Sequence, residues 1–304
     1  TRRSSDLRRE SCGWLSACPR CDVYAAYHRA DASLRCHHCG WAQRVPAACP
    51  GCGNQDLSAV GAGTQRIEEA LQASLPEARI ARLDRDSTRR VGTAQGVLDA
   101  VHEGQTDILV GTQMLTKGHD FQRVDTVVVL GVDAQLVSHD FRAAERLFAM
   151  LTQVIGRAGR AGQASDILIE TRFPGHPLFE ALALGDYALF ADAQLLERRH
   201  AQLPPYIYQA LLSAESSALK AAMALLAAVK DSVLAQDGGQ QALTIYDPVP
   251  MALQKRANVY RAQLVMESTQ RRALHAALGR IDFHLTKGLR PAVRLRIEVD
   301  PQEI

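Results

Sequence analysis

The sequence lacks the features of a membrane-spanning or secreted protein. Its 304 residues contain no run of about 18 apolar residues that would span a bilayer. The first residues, TRRSSDLRRES, carry charge but no apolar segment of a signal peptide. Apolar residues make up 47% of the chain and charged residues 22%, as in globular proteins. We therefore expect neither an integral membrane protein nor a disordered chain, and the expected location is the cytoplasm.

The chain also lacks a strong net charge, because 35 basic and 33 acidic residues give only +2. Residues 1–60 hold 8 basic and 5 acidic side chains, residues 61–195 hold 13 and 18, and residues 196–304 hold 14 and 10. Two mildly basic ends thus flank an acidic middle. This distribution permits nucleic-acid contact at the ends without requiring it.

No cysteine follows Cys52, and all seven lie in a region rich in Cys, Gly and Pro that we place at 12–53. A segment this short needs help to build a core. Repeated C-x-x-C pairs without a secretory signal indicate metal ligation, and zinc prefers four tetrahedral Cys or His ligands. Spacing alone leaves open which pairs share a metal. The candidate ligands are Cys12, Cys18, Cys21, Cys36, Cys39, Cys49 and Cys52.

Helix and strand signals alternate from Gly61 onward, which predicts a doubly wound parallel α/β sheet. Its short β-branched runs are typical of strands that are buried on both faces. The predicted helices are 61–75 (after a glycine turn), 95–104 and 143–159, and the predicted strands are 78–84, 107–112, 126–133 and 166–171.

A Leu/Ala-rich helical stretch at 176–202 ends at Leu203-Pro204-Pro205, where we place a domain boundary. Beyond it, strand and helix signals alternate again and suggest a small α/β sandwich. These are a strand at 207–215, a helix at 217–236, a strand at 261–267, a helix at 269–281 and a strand at 292–300. The predicted organisation is a leader at 1–11, the cysteine-rich module at 12–53, an α/β lobe at 54–203 and a carboxyl-terminal α/β domain at 204–304.

Two motifs carry the chemistry of the lobe. G-T-Q-M-L-T-K-G at 111–118 follows a predicted strand, where backbone N–H groups and a hydroxyl hold phosphate well. In Q-V-I-G-R-A-G-R at 153–160, Arg157 and Arg160 lie one helical turn apart, so both can project toward one anion. The alternative for the second motif is a helix C-cap with solvated arginines.

These two motifs, in this order, resemble motifs V and VI of superfamily 2 helicases. The C-x-x-C pairs upstream narrow the resemblance to the primosomal replication-restart helicases. It spans nearly the whole chain from about Cys12, but covers only the carboxyl half of such a helicase. It implies a RecA-like second helicase lobe with a zinc module and a carboxyl-terminal domain. The implied parent protein is an ATP-dependent 3′ to 5′ DNA helicase acting in replication restart and primosome assembly at stalled forks.

The resemblance also implies residue roles. Arg157 and Arg160 would be arginine fingers that reach the γ-phosphate and stabilise charge in the transition state. Gln153 would contact the same nucleotide. Thr64 and Thr112 would hold the DNA backbone.

For a second set of residues, DNA binding and simple exposure to solvent are equally good interpretations. Lys117 either contacts phosphate or is a solvated loop lysine. Lys255, Arg256 and Arg261, with the aromatic Tyr260, either stack and hold a base at a fork or form a solvated surface.

The family holds two zinc ions with interleaved ligand pairs. By resemblance, the first would be bound by Cys18, Cys21, Cys36 and Cys39, and the second, incompletely, by Cys12, Cys49 and Cys52.

Arg9 stands where the eighth cysteine is expected. The leader up to Ser11 is therefore expected to be artificial or divergent. Water or a histidine such as His28, His37 or His38 would complete the second site.

No G-x-x-x-x-G-K-[ST] loop and no D-E-x-H box occur in the sequence, so the ATP-binding lobe is absent from it. ATP and Mg²⁺ would bind only the intact protein, and we assign Asp133 no metal. The chain by itself is expected to be inactive. This favours, as the alternative, a catalytically silent zinc-containing scaffold that binds DNA and proteins.

The implied partners are single-stranded and forked DNA, single-stranded DNA-binding protein and primosome proteins such as PriB, with no membrane. The implied location is the nucleoid.

Overall fold

A computed structural model gives the fold as two compact units. One unit combines the cysteine-rich region with the carboxyl-terminal domain (1–61 with 196–302), and the other is the lobe between them (62–195). Within the described residues, no helix has the length and apolar character needed to cross a membrane. The structure describes residues 6–8, 12, 14–28, 31–55, 58–60, 63–84, 93–112, 124–138, 140–156, 165–236, 243–286 and 291–302.

The cysteine-rich region is an antiparallel sheet of three-residue strands in the order β4-β3-β2-β1-β5. Its core is small: Ala25 and Leu34 are buried, and Trp14 packs against them. The backbone of Asp6–Arg8, within the predicted leader, pairs with both β2 and β5. The strands are β1 (Asp6–Arg8), β2 (Ala26–His28), β3 (Ser33–Arg35), β4 (Ala42–Arg44) and β5 (Ser58–Val60).

The lobe contains the predicted parallel strands as two pairs, β6 with β7 and β8 with β9. The expected single helical stretch at 176–202 is two helices, because Gly185 turns the chain with a φ of +66°. In chain order the elements are α1 (Thr64–Ser74), β6 (Ile80–Leu83), α2 (Thr93–His102), β7 (Ile108–Gly111), β8 (Thr126–Val129), α3 (Asp133–Leu136), α4 (Ala143–Ile155), β9 (Asp166–Ile169), α5 (Pro177–Leu184) and α6 (Tyr187–His200).

Helix α4 is fixed in the lobe by an apolar stripe. Leu147, Leu151 and Val154 are four and three residues apart, which places them on one face of the helix, and all three are buried. Phe148 stacks on Phe190 with ring centroids 4.2 Å apart. Full burial of a leucine contributes about 1.5–3 kcal/mol, so this stripe determines which face of α4 meets solvent.

Strands β8 and β9 differ from the prediction that the strands are buried on both faces. Val128 and Leu168 are partners in the parallel register, and they are 57% and 56% exposed. A β-branched composition reports how well residues fit a pleated strand. Burial of the second face depends on a covering layer, which the local pattern does not specify.

The carboxyl-terminal domain is an antiparallel sheet, in the order β11-β13-β10-β14 with β12 beside β13, whose core is formed with two helices. Its predicted strands and helices are confirmed, whereas β11 and β12 were missed because they are short or contain proline, which argues against a strand. The elements are β10 (Tyr208–Ser216), α7 (Leu219–Ala235), β11 (Leu243–Ile245), β12 (Val249–Arg256), β13 (Val259–Ser268), α8 (Arg271–Gly279), a 3-10 helix (Phe283–Thr286) and β14 (Val293–Val299).

An ion pair joins the amino ends of β6 and β7. Arg79 Nε and Nη2 donate to the two carboxylate oxygens of Asp107 at 2.9 and 2.6 Å, and the Arg79 backbone N–H adds a bond of 2.8 Å. The Arg79 side chain and backbone together lower the pKa of Asp107 to about 2. The pair therefore fixes the register at the start of the parallel strands.

Replacing Asp107 with asparagine is expected to lower the midpoint of thermal unfolding at pH 7. Because the pKa in the folded state is about 2 and the ordinary value is 3.8, the stabilisation is present above about pH 4 and is lost as the pH falls toward 2. The midpoints of the parent and of Asp107→Asn, followed by circular dichroism, should therefore converge in acid. Glu77→Gln, at an exposed carboxylate, is the control. A difference that stays constant from pH 7 to pH 3 would contradict this account.

Candidate metal centre and phosphate-binding edge

Four cysteine thiols converge in the cysteine-rich region. The Sγ atoms of Cys18, Cys21, Cys36 and Cys39 all lie within 4.8 Å of one another, and those of Cys18 and Cys39 are 3.7 Å apart. A tetrahedral zinc–thiolate site with bonds of about 2.3 Å has sulfur–sulfur edges of about 3.8 Å. Donor type, number and spacing in this four-cysteine cluster therefore fit zinc.

Tight turns place these thiols. The Gly40 N–H donates to the Cys36 carbonyl at 2.9 Å, and Gly40 has a φ of +75°, a conformation in which glycine has no Cβ penalty. In the other turn the Arg20 N–H donates to Cys18 Sγ at 3.4 Å. Such N–H donors orient ligating side chains and compensate thiolate charge.

Burial makes two of these thiols, those of Cys18 and Cys21, dependent on a cation. It raises the pKa of Cys18 to about 12, against the effect of the Arg20 N–H. Burial also raises the pKa of Cys21, and here the opposing N–H belongs to Ala257. The apolar surroundings disfavour the negative thiolate, whereas the positive charge of a bound metal ion stabilises it.

A second cluster holds three thiols, those of Cys12, Cys49 and Cys52, again within 4.8 Å of one another. Cys12 and Cys52 are exposed, whereas Cys49 is buried. Among the described residues, no histidine or carboxylate joins this cluster, and Arg9 lies outside them. The three thiols offer three of the four ligands that zinc prefers.

The two threonines predicted to contact DNA lie at one edge of the β6–β7 pair. Leu83 is opposite Gly111 in the parallel register, so the residues that follow, Asp84 and Thr112, leave the sheet side by side. Thr64 Oγ1 donates to Asp84 Oδ2 at 2.5 Å, which brings the start of α1 to the same edge. This is the carboxyl edge, where open parallel sheets bind ligands.

Asp84 itself is fixed from a second side. It is only 5% exposed, and Arg82 Nη1 donates to its Oδ2 at 2.7 Å. Thr64 is thus bonded to a carboxylate that cannot move freely.

The proposed nucleotide contacts are partly described. Gln153 lies on the exposed face of α4, opposite the buried stripe and just before the helix ends at Ile155. Arg157 and Arg160 lie outside the described residues, as does Lys117, which was predicted to contact DNA.

Asp133 connects the carboxyl ends of β8 and β9. It accepts bonds from Thr171 Oγ1 at 2.6 Å and from the Arg172 N–H at 3.0 Å, and the Thr171 bond lowers its pKa most. Its carboxylate has a structural role.

The basic stretch at the end of β12 and the start of β13 is partly engaged within the protein. Lys255 Nζ donates to the Pro19 carbonyl at 3.3 Å and lies 5.7 Å from the centroid of the Tyr260 ring. Arg261 Nε is 3.4 Å from Glu215 Oε1, whereas the Arg256 side chain is exposed. DNA binding by these residues stays a prediction.

Sequence reasoning missed the contact of the β12–β13 turn with the four-cysteine cluster, in which the Ala257 N–H donates to Cys21 Sγ. The available signal was K-R-A-N-V-Y, an asparagine in a two-residue loop between two β-like runs.

Three domain families match successive parts of the chain. The PriA DNA helicase Cys-rich region (CRR) domain matches residues 18–44, the Helicase conserved C-terminal domain matches 60–162, and the Primosomal protein N C-terminal domain matches 199–302. The fold and the cysteine cluster therefore define a zinc-ribbon protein with a helicase carboxyl-terminal domain.

Similar curated proteins identify a particular family within this class. The replication restart protein PriA of Haemophilus influenzae is 39% identical over 96% of this chain and 40% of its own length. The protein of that name from Bacillus subtilis is 36% identical over 98% of this chain and 37% of its own length. The one from Synechocystis is 36% identical over 97% of this chain and 35% of its own length. The chain belongs to the replication restart protein PriA family, and it spans about two fifths of the length of these relatives.

We predict that the purified chain contains at least about one zinc ion, held by four thiolates. Cys36→Ser should remove about one ion per chain and reduce the order of the region, because metal binding contributes its folding energy. Elemental analysis with circular dichroism measures both. Cys52→Ser, at one of the two exposed thiols of the second cluster, is the matched control and should keep the first ion. Equal zinc contents in the parent and in Cys36→Ser would exclude the four-cysteine cluster as the site.

Proposed function

We propose that the chain supplies the second lobe, the zinc module and the carboxyl-terminal domain of an ATP-dependent 3′ to 5′ DNA helicase. Its role would be replication restart and primosome assembly at stalled forks. The observation that supports this best is the shared carboxyl edge at which Thr64 and Thr112 lie, in a chain whose relatives are replication restart proteins.

The position of Thr64 supports the proposed contact with DNA. Its hydroxyl proton is already donated to Asp84, so the side chain holds the edge together. The backbone N–H of Thr64 lies in the first turn of α1, where N–H groups have no carbonyl four residues earlier in the helix to bond to. We infer that this N–H, with the exposed hydroxyl of Thr112, binds backbone phosphate.

For ATP hydrolysis we propose Arg157, Arg160 and Gln153. The buried stripe of α4 fixes the exposed position of Gln153, and the two arginines follow directly in sequence. Their guanidinium groups would stabilise the charge of the transferring phosphoryl group.

ATP and Mg²⁺ themselves would be held by the other lobe, since this sequence contains no P-loop. The clusters of ligands within the described residues are thiols, whereas Mg²⁺ requires oxygen.

Zinc would occupy the four-cysteine cluster and, less tightly, the second cluster. The partners we propose are single-stranded and forked DNA, single-stranded DNA-binding protein and primosome proteins such as PriB. The site of action we propose is the nucleoid, in the cytoplasm.

A catalytically silent scaffold is the second candidate function of this chain by itself. The observation in its favour is that the cysteine-rich region and the carboxyl-terminal domain form one compact unit without the lobe. Such a unit would recognise forks or protein partners through its mildly basic segments.

The two candidates differ in ATP turnover. The chain alone should show no DNA-stimulated ATP hydrolysis. In a protein that also contains the ATP-binding lobe, Arg160→Ala should reduce turnover by roughly 10³-fold or more, because an arginine finger acts mainly on the transition state. Arg172→Ala, at an exposed arginine of the same lobe, is the control. Unchanged turnover in Arg160→Ala would remove this residue from the catalytic site, and turnover by the chain alone would refute the assignment of ATP binding to another lobe.

Charge and hydroxyl contacts to DNA should differ in their salt dependence. Binding to single-stranded DNA is measured by fluorescence anisotropy over a range of salt concentrations. Lys117→Ala should lower the slope of log affinity against log salt by about 0.7, because one fewer counterion is released from a single strand. Thr112→Val should weaken binding about fivefold and leave the slope unchanged. Parental affinity and slope in both variants would show that this edge does not bind DNA.

A further inference from the structure

The turn between β12 and β13 has an uncommon backbone. Arg256 and Val259 are register partners, so Ala257 and Asn258 form a two-residue loop. Their φ angles are +52° and +65°, which is the pattern of a type I′ turn. Asparagine accepts the left-handed region, whereas alanine is disfavoured in it. The alanine therefore occupies a conformation that its surroundings must stabilise.

This turn lies on the first cysteine pair of the four-cysteine cluster. The Ala257 N–H donates to Cys21 Sγ at 3.2 Å, across 236 residues of sequence. The Asn258 N–H donates to the Arg20 carbonyl at 2.9 Å. The turn thus directs two successive N–H groups at the segment that carries the metal ligands.

The contact is reciprocal and extends along the whole segment. The Asp22 N–H donates to the Lys255 carbonyl at 3.0 Å. Lys255 Nζ donates to the Pro19 carbonyl at 3.3 Å. With the two bonds above, four hydrogen bonds join the β12–β13 turn to residues 19–22. Cys21, whose sulfur accepts the bond from Ala257, is only 3% exposed.

We propose that the β12–β13 turn belongs to the zinc site, with Ala257 as the positioning residue for Cys21. A thiolate that binds zinc keeps negative charge, and a backbone N–H aimed at its sulfur stabilises that charge and fixes its orientation. By thermodynamic linkage, zinc in the four-cysteine cluster in turn holds the turn in place. Metal binding would then stabilise the contact between the carboxyl-terminal domain and the cysteine-rich region. This inference rests on the zinc binding proposed above.

The same geometry changes the interpretation of the basic stretch. Lys255 directs both its carbonyl and its ammonium group toward the cysteine-rich region. The first role of Lys255 is therefore to dock the turn on the cysteine-rich region. Arg256, on the same hairpin, is exposed and provides the control residue.

The test lengthens the turn without touching a ligand. Two glycines inserted between Ala257 and Asn258 should displace both N–H donors and accelerate zinc release to a chelator by roughly tenfold or more, as expected for loss of an outer-shell partner. Ala257→Gly keeps the turn and its N–H groups, and Arg256→Ala removes only an exposed charge, so both should release zinc at the parental rate. Cys12→Ser identifies the release phase of the second cluster.

A second insertion controls for damage to the domain. The same two glycines between Gly238 and Gly239, in the connection from α7 to β11, should leave zinc release unchanged.

Amide hydrogen exchange of the unaltered chain gives an independent measurement. Removal of zinc should speed exchange of the Ala257 and Asn258 amides by about tenfold or more, with no change at Leu212 in the core of the carboxyl-terminal domain.

The outcomes separate the two proposals. A parent chain that holds no zinc overturns the proposed metal site and this inference with it. A parent that holds zinc, but whose turn insertion releases it at the parental rate and whose Ala257 and Asn258 amides exchange independently of zinc, overturns this inference alone.

Discussion

The approach of four cysteine sulfur atoms to within 4.8 Å of one another is the constraint on which the cysteine-rich region depends. Its strands are three residues long, and the apolar cluster beneath them, among the described residues, buries two small or medium side chains, those of Ala25 and Leu34. So little buried surface cannot offset the entropy of ordering the chain. Four thiolates at these distances would also repel one another unless a cation lay between them, so the fold of this region and the fit to zinc have one physical cause.

The influence of that cluster reaches the carboxyl-terminal domain. Helices α7 and α8 pack with β10 and β13 around a core of its own, which includes Leu212, Leu264 and Met266. The β12–β13 turn, in contrast, meets the cysteine-rich region through hydrogen bonds. Hydrogen bonds depend strongly on direction, so this contact is sensitive to where the ligands of the metal lie. Two segments that are distant in the sequence thus form one compact unit.

The lobe follows a different rule, in which buried apolar faces position polar groups. The stripe that ends at Val154 leaves Gln153 on the solvent side of α4, directly before the G-R-A-G-R segment. Parallel pairing brings Asp84 and Thr112 to one edge, and the hydrogen bond from Thr64 adds the start of α1. Both arrangements result from packing and hydrogen bonds within the lobe.

By itself, the sequence determined everything that depends on local pattern: the C-x-x-C pairs, the alternation of helices and strands, the position of motifs after a strand or on a helix, and through them the family. The bond from Thr64 to Asp84, the exposure of Val128 and Leu168, and the strands β11 and β12 were decided by the tertiary structure. So was the docking of Ala257 on Cys21, which lies 236 residues away and uses a backbone N–H. Every residue except proline has that donor, so no residue type marks it in a sequence. Only the folded chain determines where it points.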